Sequence, residues 1–254
     1  MKFKVVFNFK PRTLNLKLQI LNYFYCPDIS EKQASFTLDE AESKHIVRVL
    51  RLSVGEHINL LDGKGVVFRC EIIETGKRCV VKIIDFKKSK EDAFHIHIAI
   101  APTKNNDRLE WFIEKSTEIG INEITPIICF NSERKVVKQE RLLKTAIAAM
   151  KQSGRTFLPK INEAVKLKDF LKACNIEQKY IAHCYEENQQ HLKELCVAGK
   201  DVVLLIGPEG DFSLEEVEIA IKNHNFIPIS LGKNRLRTET AGVYACTTIK
   251  LLNE

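Results

Sequence analysis

Three absences narrow what these 254 residues can be. No stretch approaches the roughly 20 consecutive apolar residues that a membrane-spanning helix needs. No Cys-x-x-Cys pair occurs, and the eight cysteines, at 26, 70, 79, 129, 174, 184, 196 and 246, follow no regular spacing. Most stand in apolar contexts, as Cys79 does beside Val80 and Val81, so reduced, buried thiols in a cytoplasmic protein are expected rather than disulfides or zinc ligands. Neither a P-loop, with its Gly-Lys-Ser/Thr ending, nor the three-glycine dinucleotide fingerprint is present. His95 and His97 alternate on a strand-like run, but no carboxylates or cysteines stand at matching spacing. They are expected to be exposed strand histidines, and no metal is expected.

Charge is equally uneven. The chain carries a formal +6, yet Lys2, Lys4, Lys10, Arg12 and Lys17, with no acid among the first twenty residues, account for +5 of it. Overall basicity is therefore no argument for a nucleic-acid partner; a local patch would be. Residues 1–21 are expected to be a disordered basic extension, because Asn8, Lys10 and Pro11 break any apolar segment and no small-residue cleavage site follows. A local bias does exist between residues 134 and 160. There Arg134, Lys135, Lys138, Arg141, Lys144, Lys151, Arg155 and Lys160 face Glu140 alone. A solvated helix face would explain such a run, and so would a phosphate-contacting surface.

The length suits two domains. Residues 22–90 show short strands separated by turns at Gly55, Asp62-Gly63 and Gly65, with one helix expected over 39–52 whose Ile46, Val49 and Leu50 share a side. A compact β-barrel fits, with strands at 58–61, 66–73 and 79–86. The polar run Lys87-Lys88-Ser89-Lys90-Glu91-Asp92 places a boundary near residue 91. Residues 91–254 alternate strands (94–101, 124–130, 181–184) with helices. Helix 107–119 is ended by Gly120, and helix 140–152 has Leu142, Leu143, Ala146 and Met150 inward. Such alternation predicts an α/β domain, a mostly parallel sheet with helices on both faces.

The last third organises the rest. Val202-Val203-Leu204-Leu205-Ile206 is an unbroken aliphatic run, suited to a strand buried on both faces. Gly207-Pro208-Glu209-Gly210 must then turn, both glycines being free to take backbone angles that other residues avoid. Ser213 with Glu216 three residues on has the form of a capping box opening a helix. A second unit follows, from Phe226 to Gly232, a polar turn, and Thr238-Glu239-Thr240-Ala241 leading into a helix. Strand, turn and helix build ligand sites at the carboxyl edge of such sheets, and two such loops close in sequence should lie side by side. Arg235, Arg237 and Glu239 would add charge to the cleft, or form a structural ion pair.

Leu205-Ile206-Gly207-Pro208-Glu209-Gly210, then Leu231-Gly232 and Leu236-Arg237-Thr238-Glu239-Thr240-Ala241, resemble the bacterial 16S ribosomal RNA uridine N3-methyltransferases, the RsmE family of the SPOUT superfamily. Lys104, Arg108, Lys115, Glu118-Ile119-Gly120, Pro126, Gln152-Ser153, Arg155 and Pro159 fit the same pattern. The segment from His45 to Arg51, with Gly55, is similar to the family's PUA-like RNA-binding barrel. Asp211 stands where the family often has a second glycine, and Asn234 replaces a common arginine.

The resemblance implies a trefoil-knotted SPOUT domain behind the PUA-like barrel, a homodimer, and S-adenosylmethionine bound in the knot loops without a metal. The loops would hold the cofactor through Ile206, Gly207, Pro208, Glu209 and Gly210 on one side. Ser230, Leu231 and Gly232 would do so on the other, with Leu236, Arg237, Thr240, Ala241 and, from the preceding strand, His183. The partner would be 16S ribosomal RNA in the small subunit, gripped by Arg48, Arg51, Lys104, Arg134, Lys135 and Arg155. Loss of the N3 proton leaves a uracil anion, which calls for a cation and a proton acceptor. Arg237 is the expected cation, with Glu209 or Glu239 to orient it or accept the proton. Another RNA methyltransferase of the same fold, acting on a 2′-hydroxyl, and a non-catalytic RNA-binding assembly factor are the competing readings.

Overall fold

The computed structural model describes residues 22–185 and 189–254. The basic extension expected over residues 1–21 lies outside the described residues.

The first layer is a curled five-stranded sheet. Its strands are β1 (Tyr23–Tyr25), β2 (Ser35–Thr37), β3 (His57–Leu61), β4 (Val66–Glu74) and β5 (Val80–Lys88), in the order β1-β3-β4-β5-β2. Among the described residues no pairing joins β2 to β1, so the expected barrel is an open sheet rather than a closed one. Alternation in β4 sends Val66, Phe68, Cys70 and Ile72 inward, onto Phe24, Leu38, Ile58, Leu60 and Val81.

The helix expected over 39–52 is cut in two. Helix α1 (Glu40–Lys44) starts at Asp39, whose carboxylate accepts from the Glu42 amide at 2.7 Å. The chain then widens into a π-helical stretch, His45–Leu50, and stops at Arg51 with a left-handed φ of 56°. A wider turn rotates the side chains out of α-helical phase. Ile46 is buried as expected, but Val49, expected beside it, is 66% exposed.

The second sheet has seven parallel strands. In chain order its elements are β6 (Ile96–Ile100), α2 (Asn106–Ile119), β7 (Glu123–Ile128), α3 (Gln139–Ser153), β8 (Lys160–Ile161) and β9 (Val165–Lys166). There follow α4 (Leu167–Ala173), β10 (Gln178–Ala182), α5 (Leu192–Leu195), β11 (Val202–Ile206), α6 (Leu214–His224), β12 (Ile227–Ile229) and α7 (Thr238–Leu252). The order is β12-β10-β11-β6-β7-β8, with β9 also on β7. Alternate residues feed two cores. Ile96, Ile98, Ile100, Leu204 and Ile206 meet α2, α3 and α7, while Ala99, Val203 and Leu205 meet α4 and α6.

That double covering overturns one expectation. His97 faces a helix layer rather than solvent: it is 7% exposed, edge-on to the Phe170 ring at 5.4 Å, and hydrogen-bonded to Thr125 Oγ1 at 2.7 Å. Burial lowers its pKa to about 4. An alternating strand has no wet side when helices cover both faces. His95, at the strand's start, is half-exposed and bonded to Glu123 at 3.0 Å. On α3, Leu142, Ala146 and Met150 are buried, but Leu143, expected inward, is 38% exposed. No helix among the described residues is long and apolar enough to cross a membrane.

Candidate functional site: a cavity between three loops at the carboxyl edge of the sheet

All five residues of β11 are buried, and Ile206 delivers the chain into the Gly207–Gly210 turn at the carboxyl edge. The turn closes with the Asp211 amide on the Pro208 carbonyl at 2.9 Å. Its left-handed residue is Asp211, with φ 62°, and neither glycine takes a positive φ. The glycines serve close approach instead. A Cβ on Gly207 would stand 3.0 Å from the Phe212 ring, and one on Gly210 would stand 3.2 Å from Asn131 Cβ. Aspartate tolerates the left-handed region through local hydrogen bonding, and Asp211 bonds its own neighbour, Phe212 N, at 2.8 Å. Its other oxygen accepts from the Cys184 amide at 2.9 Å, tying the loop after β10 to this turn. Beyond it Ser213 and Glu216 form the complete capping box of α6.

The second loop leaves β12 at Ser230, whose hydroxyl accepts from the Gly232 amide at 3.1 Å. It runs exposed through residues 232–235 into α7. Arg237 is the N-cap position of α7, with its side chain free of any cap bond. Thr238 then reaches across and donates to the Gly207 carbonyl at 3.0 Å. That buried bond ties the two loops to each other.

Between them and the loop after β10 lies a cavity of about 1020 Å³. Of the residues expected to hold a cofactor, His183, Ile206, Gly207, Pro208 and Glu209 line it from one side. Ser230, Leu231, Gly232, Leu236, Arg237 and Ala241 line it from the other. Gly210, against Asn131, and Thr240 are not on its wall. Nor is Glu239, which is 6% exposed and points to Arg108 Nε at 3.8 Å. Glu209 is exposed, and its Oε1 accepts from the Lys104 amide at 3.0 Å. The wall also takes in Gln189, Gln190 and His191 from the β10–α5 connection and Asp211, Arg235 and Thr238. The first three carry no motif; the parallel pairing of β10 with β11 and β12, and the bond from the Ser230 amide to the Gln190 carbonyl at 2.9 Å, bring them here.

An adenosine-bearing ligand fits this wall. Ile206, Ile229, Leu231, Leu236 and Ala241 offer an apolar face for a flat ring, exposed Gly232 leaves backbone uncovered, and arginines stand at the rim. A site for a metal is not similarly built: among the described residues no three His, Cys, Asp or Glu side chains cluster. Six of the eight cysteines are buried, and Cys174 is half-buried. Burial pushes the Cys26, Cys70 and Cys246 thiols up to about 12. Cys184 alone is exposed, at the cavity.

The expected RNA contacts separate into two kinds. Arg48, Arg51 and Lys135 are exposed, with no ion pair among the described residues. Arg134 instead donates to the carbonyls of Thr103 and Lys104, the latter at 2.7 Å from Nη2, and Lys104 Nζ pairs with Glu133 at 3.0 Å. Arg155 lies over Gly120 and donates to the Ile119 carbonyl. Within 134–160, Arg141 pairs with Glu110, Lys151 with Glu42 and Lys160 with Glu123. The basic run is thus not one patch: acids distant in sequence neutralise three of its eight cations, and backbone carbonyls hold Arg134 and Arg155.

A family model described as the RNA methyltransferase domain matches residues 90–250, and one described as the RNA methyltransferase PUA domain matches 38–84. The chain is 33% identical over 230 residues to ribosomal RNA small subunit methyltransferase E of Rickettsia conorii, spanning 88% of this chain and 94% of that one. The protein of the same name from Bacillus subtilis is 28% identical over 243 residues, with 88% and 93% covered. Among solved structures, a probable rRNA-methyltransferase from Porphyromonas gingivalis is 40% identical with a TM-score of 0.84, covering 92% of this chain and 98% of its own. A putative methyltransferase from Legionella pneumophila, solved with the cofactor SAM bound, is 30% identical, also at 0.84 over 92% and 98%.

Proposed function

The chain belongs to the RNA methyltransferase family of the small subunit methyltransferase E proteins, and from that membership we propose that it methylates N3 of a uridine in 16S ribosomal RNA. It is an S-adenosylmethionine-dependent ribosomal RNA methyltransferase. The observation that carries the reading is the joining of the Gly207 and Leu236–Ala241 loops by the Thr238–Gly207 bond around one cavity.

Methyl transfer from a sulfonium is an in-line displacement, so the protein's work is positioning and charge. S-adenosylmethionine supplies the activated methyl group. The apolar wall, Gly207 and the Leu231–Gly232 backbone would hold its adenosine. Arg237 stands at the amino end of a fifteen-residue helix, where the helix dipole adds to its own charge toward a uracil anion. Of the two carboxylates expected to act, Glu209 is on the wall and steadied by the Lys104 amide. It is the one to orient Arg237 or take the N3 proton. Glu239 serves the packing of α7 on α2 through Arg108.

The reading brings finer elements with it. The C-terminal segment would thread as a trefoil knot; its support is that α7 returns against β6 and α2, close enough that a Cβ on Gly242 would stand 2.5 Å from the Phe112 ring. The protein would act as a homodimer, for which α2 and α7 leave Trp111, Tyr244 and Leu251 at 41%, 41% and 65% exposure. The domain boundary is assigned near residue 91, between the end of β5 and the start of β6, and the site of action is the cytoplasm.

Nucleoside analysis of ribosomal RNA from a deletion strain tests the reaction: N3-methyluridine should disappear and return on complementation. Loss of a 2′-O-methyl nucleoside instead would replace the acceptor atom. In single-turnover methylation, Arg237→Ala should slow the chemical step about 100-fold while S-adenosylmethionine still binds. A fall of less than about tenfold would move the cationic role to another residue.

A further inference from the structure

The loop between β7 and α3 presents an aromatic ring that is left largely exposed among the described residues. Phe130 is 79% exposed and Val136, later in the same loop, is 76% exposed. An uncovered phenylalanine on a mobile loop would mean little, but this loop is pinned on both sides of the ring, from Cys129 to Arg134. The Phe130 amide donates at 2.8 Å to Oε1 of Glu216, whose other carboxylate oxygen accepts from the Ser213 amide in the cap of α6. Asn131 Nδ2 donates to the carbonyls of Gly210 at 3.1 Å and Asp211 at 3.0 Å. Buried Ser132 bonds back to the Cys129 amide at 3.0 Å, and Arg134 donates to the Thr103 and Lys104 carbonyls. Lys104, through its own amide, holds Glu209. The ring is therefore displayed by a rigid backbone strapped to the turn whose Asp211 lines the cofactor cavity.

The surroundings say what it could meet. Lys135 and Lys138 are exposed and have no ion pair among the described residues, while the one acid of the stretch, Glu133, is taken up by Lys104. A flat apolar ring with unneutralised cations a few residues away is complementary to an unpaired nucleotide, whose base has a π-face and whose backbone is anionic. We propose that Phe130 is a stacking platform for a base flanking the target nucleotide, with Lys135 and Lys138 on the adjoining phosphates. This rests on the functional reading above. N3 lies on the pairing edge, so the target must be unpaired or flipped, and its neighbours then need a substitute for the lost stacking. Phe130 is a substrate-positioning residue in this scheme, and it touches neither the methyl group nor the reacting nitrogen.

The experiment uses the full chain and small ribosomal subunits from a strain lacking the methyl group, with Phe130→Ala, Phe130→Leu and Phe130→Tyr compared with the unaltered protein. Stacking predicts that the alanine and leucine variants raise KM for the subunits about tenfold, in the range of one lost base–aromatic contact. With them kcat stays within about twofold, S-adenosylmethionine affinity by calorimetry is unchanged, and tyrosine restores the original KM. The proposal is overturned if alanine leaves KM within about twofold of the original. It is equally overturned if leucine matches phenylalanine, which means plain apolar contact, or if alanine changes the sedimentation of the free protein, which means the ring covers a second copy. An unaltered protein that transfers no methyl to these subunits would bring down the functional reading itself, an outcome none of the Phe130 results imitates.

Discussion

The two ends of the parallel sheet use similar residues to opposite purposes. At the carboxyl end, glycines, arginines and carboxylates border a cavity of about 1020 Å³, and Arg235, Arg237 and Glu209 stay exposed on its wall. At the amino end, where the five-stranded sheet meets α3 and the loop that leads from it into β8, the same residue types are spent on closure. Lys151 is paired with Glu42 across the junction and Arg155 covers Gly120. Phe157 lies on Gly65, whose amide bonds to the Thr156 carbonyl at 3.0 Å. His95, Lys160 and Asn162 all converge on Glu123, and the His95 hydrogen bond above all holds that carboxyl well below its usual range. Charge that is satisfied internally stabilises the junction; charge left unsatisfied at the other end is available to a ligand. Substitutions at the two ends should therefore report in different measurements.

The strongest contrast should come from Gly65→Val. Gly65 has φ 107°, and a Cβ there would stand 2.5 Å from the Phe157 ring. Overpacking and left-handed strain together should cost about 4 kcal/mol and lower Tm by about 10 °C, while the folded protein binds S-adenosylmethionine within about threefold of normal. An unchanged Tm would show that the junction yields, and would break the distinction between the ends.

A somewhat smaller effect is expected from pH, through His97. Its folded pKa of about 4 lies below the ordinary 6.5, so between those values the unfolded chain binds more protons than the folded one. Stability present above pH 6.5 should therefore fall as pH drops through that window, by at most about 3 kcal/mol, and level off near 4. Glu123, depressed rather than raised, adds its own loss only as pH falls below its usual 4.5. Denaturant unfolding of His97→Gln at pH 7.5 and 5 checks this: the variant should lose most of the difference. An equal pH slope in both proteins would assign it to other groups.

The smallest effect probes the open end. Thr238→Val removes the donor to the Gly207 carbonyl, worth about 1 kcal/mol. It should appear as roughly fivefold weaker cofactor binding by calorimetry, with Tm nearly unmoved. A Tm drop without an affinity change would place Thr238 with the structural residues of the junction.

What the sequence determined by itself lay in local chemistry. The β-branched run of β11, the Ser213–Glu216 capping box and Gly120 at the end of α2 were legible because each is decided within a few residues, by strand burial, by reciprocal bonds or by backbone freedom. The alternation of strands and helices told of a parallel sheet covered on both faces, and the paired loops told of a site at its edge. Tertiary structure decided what depended on partners far away in the chain. Arg155 and Lys151 read as RNA contacts or solvated charge until Gly120 and Glu42 arrived beside them. Glu239 read as a cavity carboxylate until α2 brought Arg108 to it. His97 read as exposed until α4 laid Phe170 against it. A charge or a ring has no fixed role of its own: its role follows from which groups desolvate or neutralise it, and those come from across the fold.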